Sequence, residues 1–94
     1  MKKKPLQVMS NQLKGKRRRI DLVDRKLLSL LNQRLRIALE CGKIKNGMGK
    51  KIYDPRREAE VLTRLGMENR GPLKKEDLAK IFRTIIGVCR RSQK

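Results

Sequence analysis

The sequence predicts an all-α fold: three helices per chain, one long and N-terminal and two shorter, paired as an intertwined homodimer. Three observations carry this. Apolar residues recur at helical spacing through three segments, and these are separated by Asn46-Gly47-Met48-Gly49 and Arg70-Gly71-Pro72. With one Phe, one Tyr and no Trp, the core must come from Leu, Ile and Val on helices. The first segment is roughly twice the length of either other at about 1.5 Å per residue. Two short helices therefore cover only part of its apolar stripe, and a second copy of the chain is the simplest cover for the rest.

Residues 1–12 read as a disordered basic arm, because Pro5 and the lysines oppose a helix there. The folded domain is expected over residues 13–94. Asn11 to Lys16 can begin the first helix, with Gly15 weakening it by up to ~1 kcal/mol relative to Ala. From Arg17 to Lys45 the pattern is strong. Ile20, Val23, Leu27, Leu30, Leu31, Ala38 and Cys41 share one face, and Arg25, Lys26, Ser29, Asn32, Gln33, Arg36, Glu40 and Lys43 lie opposite. Only Gly42 interrupts it.

The anomaly lies in the stripe itself. Arg34 falls within roughly 20° of the line through Leu27, and Lys45 within roughly 20° of Arg34. Two cations thus point toward the core, about 16 Å apart along the axis. A single such residue can extend its charged head to water along an apolar stem. Two on one line, with no acid between them, indicate a partly buried anionic ligand.

The second helix has a clear start signal, Asp54 as N-cap and Pro55 at the first helical position. It runs to about Asn69 with Val61, Leu62 and Leu65 inward, and Arg57 and Glu58 project beside that stripe. The third runs from about Lys75 to the C-terminus. Leu78, Ile81, Phe82, Ile85, Ile86 and Cys89 form its stripe, which Gln93 ends with an amide. Its N-terminus is poorly capped, since Lys74 and Lys75 oppose the dipole.

Composition bounds the function. A chain of 94 residues is one small domain with a modest core. Its net charge of +18 implies attraction to anions: nucleic acid, acidic membrane or a small polyanion. Cys41 and Cys89 form no CxxC pair, and with no His there is no conventional zinc cluster. Both read as small buried residues in a reducing cytoplasm. The start has no apolar stretch long enough for a signal peptide, and no segment approaches a membrane span.

The polar groups touching apolar stripes are Arg34, Lys45, Arg57, Glu58 and Gln93, with Asp54 at the mouth of the second helix and Arg17 about 80° off the first stripe, at its edge. This set lacks the parts of covalent or metal catalysis. It suits a small dicarboxylate that also carries a hydroxyl.

Here the sequence resembles the all-helical chorismate mutases, three-helix intertwined dimers. The segments that carry the resemblance are Arg17 with IDLVDRKLLSLLNQR, GKIK, IYDPRREAEVL, GPL and IFRTIIGVCRRSQ, from about Leu13 to Gln93. The spacing of Arg17, Arg34, Lys45, Asp54, Arg57, Glu58 and Gln93 matches as a set. The resemblance implies an intramolecular Claisen rearrangement of chorismate to prephenate, without cofactor or metal, in two sites shared across a dimer. It implies that Arg17 reaches in from the other chain and, with Arg34 and Arg57, binds two carboxylates. It further implies that Lys45 and Gln93 donate to the ether oxygen while Glu58 and Asp54 hold the ring hydroxyl side. Cys89 stands where the family often has Ser, on the substrate-binding side. Arg18, Arg19, Arg90 and Arg91 read as solvated faces. The alternative is a basic helical nucleic-acid-binding protein, which the charge favours and the scarcity of stacking aromatics opposes. A fusion of such a domain with prephenate dehydratase is a further context the resemblance allows.

Overall fold

The structure, a computed structural model, describes residues 5–93. It has three helices: α1 (Leu6–Gly47), α2 (Pro55–Glu68) and α3 (Lys75–Ser92). The chain divides into two units, Met1–Asn32 and Gln33–Lys94. The first is the N-terminal part of α1; the second holds the rest of α1 together with α2 and α3.

α1 begins earlier than the sequence suggested. Residues 6–12, expected in a disordered arm, are helical, and residues 1–4 of that arm lie outside the described residues. The reason is Pro5. A proline is costly inside a helix but tolerated at its start, where its missing N–H needs no partner. Its carbonyl accepts from the Met9 N–H at 3.1 Å and so opens the ladder. Leu6, Gln7 and Met9 are good helix formers that carry it forward through Gly15.

The end of α1 is a Schellman turn. The Lys50 N–H donates to the Lys45 carbonyl at 2.8 Å and the Gly49 N–H to Asn46 at 3.2 Å. Gly49 takes φ +68°, the left-handed conformation this closure requires and a side chain disfavours. α2 starts as the sequence indicated: the Arg57 N–H donates to Asp54 Oδ1 at 3.1 Å, with Pro55 in the first turn. Between α2 and α3 the Asn69 side chain ties the turn, accepting from the Gly71 N–H at 3.0 Å and donating to the Leu73 carbonyl at 2.8 Å. Lys74 gives α3 no side-chain cap, but Glu76 and Asp77 in its first turn suit the helix dipole.

The buried apolar residues are Ala38, Val61, Leu78, Ile86 and Cys89, all in the second unit. Cys41, expected to be buried, is exposed in the single chain. Most of the remaining stripe of α1 is exposed too: Ile20, Val23, Leu27, Leu30 and Leu31 each leave two-fifths or more of their surface open. Ile81 of α3 is likewise exposed. Among the described residues no helix is long and apolar enough to cross a membrane.

Candidate active site

A cavity of about 370 Å³ opens in the second unit, within the size range of small-molecule sites. Its wall draws on α1, α2, α3 and the loop before α2. Arg34, Lys45, Asp54, Arg57, Glu58, Cys89 and Gln93 all line it. Thus seven of the eight residues singled out from the sequence meet at one place. Arg17 is not among the lining residues; it sits exposed on α1 in the first unit. Ile37, Ile52, Val61 and Ile86 supply the apolar wall.

Each polar group is held by local structure. Arg34 and Lys45 project from one side of α1 and are half-buried. Lys45 Nζ donates to the Ile52 carbonyl at 3.0 Å, which fixes the head of a flexible side chain and leaves two N–H donors for a ligand. Asp54 caps α2 while facing the cavity. Arg57 and Glu58 follow in the first turn of α2, on its cavity side. Cys89 is buried on α3.

Gln93 lies one residue past α3, where its backbone N–H donates to the Arg90 carbonyl at 3.1 Å. Its Oε1 is buried and has no hydrogen-bond partner among the described residues. A buried polar atom left unpaired costs about 1–3 kcal/mol, a cost that a polar ligand in the cavity relieves. Because the two ends of an amide exchange by a half-turn, the same position can offer an acceptor or a donor.

Arg90 corrects the sequence reading. It is not a solvated residue but lines the cavity. Its Nη1 lies 3.7 Å from Glu58 Oε2, with side chains 34% and 25% exposed. Its Cζ stands 4.7 Å from the centroid of the Tyr53 ring. The signal was present in the spacing: Arg90 follows buried Ile86 by one helical repeat, as Gln93 follows Cys89. The cavity therefore carries four cations, Arg34, Lys45, Arg57 and Arg90, against two carboxylates, Asp54 and Glu58. The surplus of positive charge fits a small dianion. The residues offer forked donors for carboxylates, a fixed ammonium, an amide and two acceptors.

Comparison with known proteins agrees with this chemistry. The family model described as "Chorismate mutase type II" matches residues 16–94. The bifunctional chorismate mutase/prephenate dehydratase of Pseudomonas aeruginosa is 40% identical over 84 residues, which cover 84% of this chain and 23% of that protein. The corresponding Stutzerimonas stutzeri protein is 39% identical, and 23% of its length is again covered. The chain thus spans less than a quarter of these relatives. Among solved structures, chorismate mutase (form II) from Thermus thermophilus superimposes with a TM-score of 0.82 at 36% identity, covering 83% of this chain and 89% of that one. Helicobacter pylori chorismate mutase in complex with prephenate gives a TM-score of 0.81 at 35% identity, covering 88% and 90%. Matched by the family model over most of its length and similar to these enzymes in both sequence and fold, the chain belongs to the chorismate mutase type II family.

Proposed function

We propose that this chain rearranges chorismate to prephenate, as a homodimer in the cytoplasm whose two sites are each completed by Arg17 of the other chain. One observation carries the reading: seven side chains spread from residue 34 to residue 93 line one cavity, and their charges suit a dicarboxylate. The family supplies the reaction.

In this reading Arg34 and Arg57 bind the substrate's two carboxylates through forked hydrogen bonds, with Arg17 of the second chain. Pinning both carboxylates folds the enolpyruvyl side chain over the ring, so much of the entropic barrier is met on binding. Bond breaking leads bond making, and negative charge grows on the ether oxygen. Lys45 and Gln93 donate there. Lys45 is already held by the Ile52 carbonyl and so need not be ordered during the reaction. The Gln93 amide, whose Oε1 is unpartnered among the described residues, turns to present its Nε2 to the ether oxygen. Donors that meet charge present only in the transition state raise the rate rather than merely tightening binding. Glu58 and Asp54 accept from the ring hydroxyl, and Cys89 stands beside a carboxylate. The bond changes pass through the substrate's own electrons, so these residues need no cofactor.

The dimer is supported by the open stripe of α1. Covering the open half of side chains such as Leu27 and Leu30 contributes roughly 1 kcal/mol each, and the sum over both copies of the stripe favours pairing. No finding favours the nucleic-acid alternative beyond the charge itself.

The test is chorismate consumption and prephenate formation by the purified protein, with Arg34→Ala and Lys45→Ala alongside. Turnover by the parent is expected, with a loss of about 10²–10³-fold in each variant, as for removal of a transition-state donor or a paired charge. A folded parent without turnover overturns the proposal.

A further inference from the structure

Arg90 is the one charged residue lining the cavity to which the reading above gives no role. We propose that it is a positioning residue, resting on that reading: Arg90 holds the Glu58 carboxylate toward the cavity, and the Tyr53 ring holds Arg90.

Three elements meet in this arrangement. Tyr53 belongs to the loop before α2, Glu58 to the first turn of α2 and Arg90 to the last turn of α3. The guanidinium lies 4.7 Å from the Tyr53 ring centroid, inside the roughly 6 Å reach of a cation–π contact. Its Nη1 meets Glu58 Oε2 at 3.7 Å, an ion pair rather than a hydrogen bond. Only a planar cation can lay one face on a ring and still present N–H groups at its edge, so Lys cannot replace both contacts. Arg90 is the sole ion-pair partner of Glu58 among the described residues.

Two consequences follow for a dianionic ligand. Without Arg90, Glu58 is free to turn to other rotamers, and a carboxylate that must accept from a hydroxyl has lost its aim. The positive surplus of the cavity also falls, since three cations then face two carboxylates. Both effects act on ground state and transition state alike. They therefore show in KM more than in kcat.

The experiment is steady-state kinetics on chorismate for the parent, Arg90→Met, Arg90→Lys, Glu58→Gln and the double variant Arg90→Met/Glu58→Gln, with Tm measured for each. Arg90→Met is expected to raise KM about fivefold with kcat held within about twofold. Arg90→Lys is expected to recover part of that loss, because it restores charge but not the fork. In the Glu58→Gln background the Arg90→Met effect is expected to shrink to less than about twofold, the coupling that marks action through Glu58. Tyr53→Leu, which leaves the pair intact, is expected to act in the same direction and more weakly; it serves if Arg90→Met fails to fold. An inactive parent overturns the mutase reading and this proposal together. An active parent whose Arg90→Met variant is unchanged, or loses equally with and without Glu58, overturns this proposal alone.

Discussion

Gly42 and Gln93 meet so closely that a side-chain carbon on Gly42 would stand 3.0 Å from Cβ of Gln93 and 3.3 Å from its Cα. On sequence Gly42 looked like a defect in a good helix. In the fold it is the gap that seats the terminal amide. Gly42→Ala has two opposed effects. Alanine favours the helix by up to about 1 kcal/mol over glycine, while Gln93, just beyond α3, must yield by a few tenths of an ångström. Gln93 lies outside the helical ladder of α3 and gives way readily, so Tm is expected to hold or rise slightly. An amide moved off its target is expected to lower kcat about tenfold. Melting and kinetics on the same sample check both signs.

Gln93 cannot ionise, so the hydrogen bond proposed for it does not depend on pH near neutrality. A glutamate there donates only when protonated, and an ordinary Glu titrates near about 4.3. Gln93→Glu is therefore expected to run best in acid and to lose rate as pH rises through its carboxyl pKa, whereas the parent stays level between about pH 6 and 8. A pH–rate profile of the pair checks this. A parent that declines across that window, or a variant that follows it, contradicts the assigned role.

A site completed by Arg17 of the other chain permits complementation. Arg17→Ala and Arg34→Ala homodimers are each expected to be nearly inactive. Unfolded, mixed and refolded together, they form hybrids with one intact and one doubly altered site, restoring about a quarter of parental activity. No recovery argues for sites built within one chain. Leu27→Glu, set in the open stripe of α1, is expected to halve the mass in sedimentation and to abolish turnover with it.

The net charge of +18 exceeds what four cavity cations require. A field of that size draws a dianion toward the protein from beyond the site. Raising ionic strength from about 0.01 to 0.15 M shortens the Debye length from about 30 to 8 Å. The expected result is a severalfold fall in kcat/KM with kcat unchanged. A kcat that falls equally places the charge effect inside the site.

Much of this molecule is legible in its sequence. The three helices follow from apolar spacing, and Asp54-Pro55 and Gly71 mark boundaries that the structure keeps. Arg34 and Lys45 were visible because a cation in an apolar stripe breaks a strong local rule. What escaped has physical reasons. On sequence Pro5 reads as a breaker, although at a helix start the same ring is harmless. Arg90 lies in a strongly basic stretch, where its one-repeat spacing from Ile86 is a weak signal that the surrounding charge masks. The stripe predicts burial of Cys41, but in the single chain it is exposed. Contacts that join residues far apart in sequence, such as Gly42 with Gln93, leave no trace in periodicity.

Asp54 gives its carboxylate to the Arg57 N–H and so decides where α2 begins. That choice is also an angular one. Each residue of a helix turns by about 100°, so a start displaced by one position would swing Arg57 and Glu58 a quarter-turn or more away from the cavity. The 3.1 Å bond thus fixes the first turn that carries Arg57 and Glu58, and buried Val61 holds the same bearing from the core side. Asp54 works as the zero mark of a dial from which the compass bearing of the groups behind it is read.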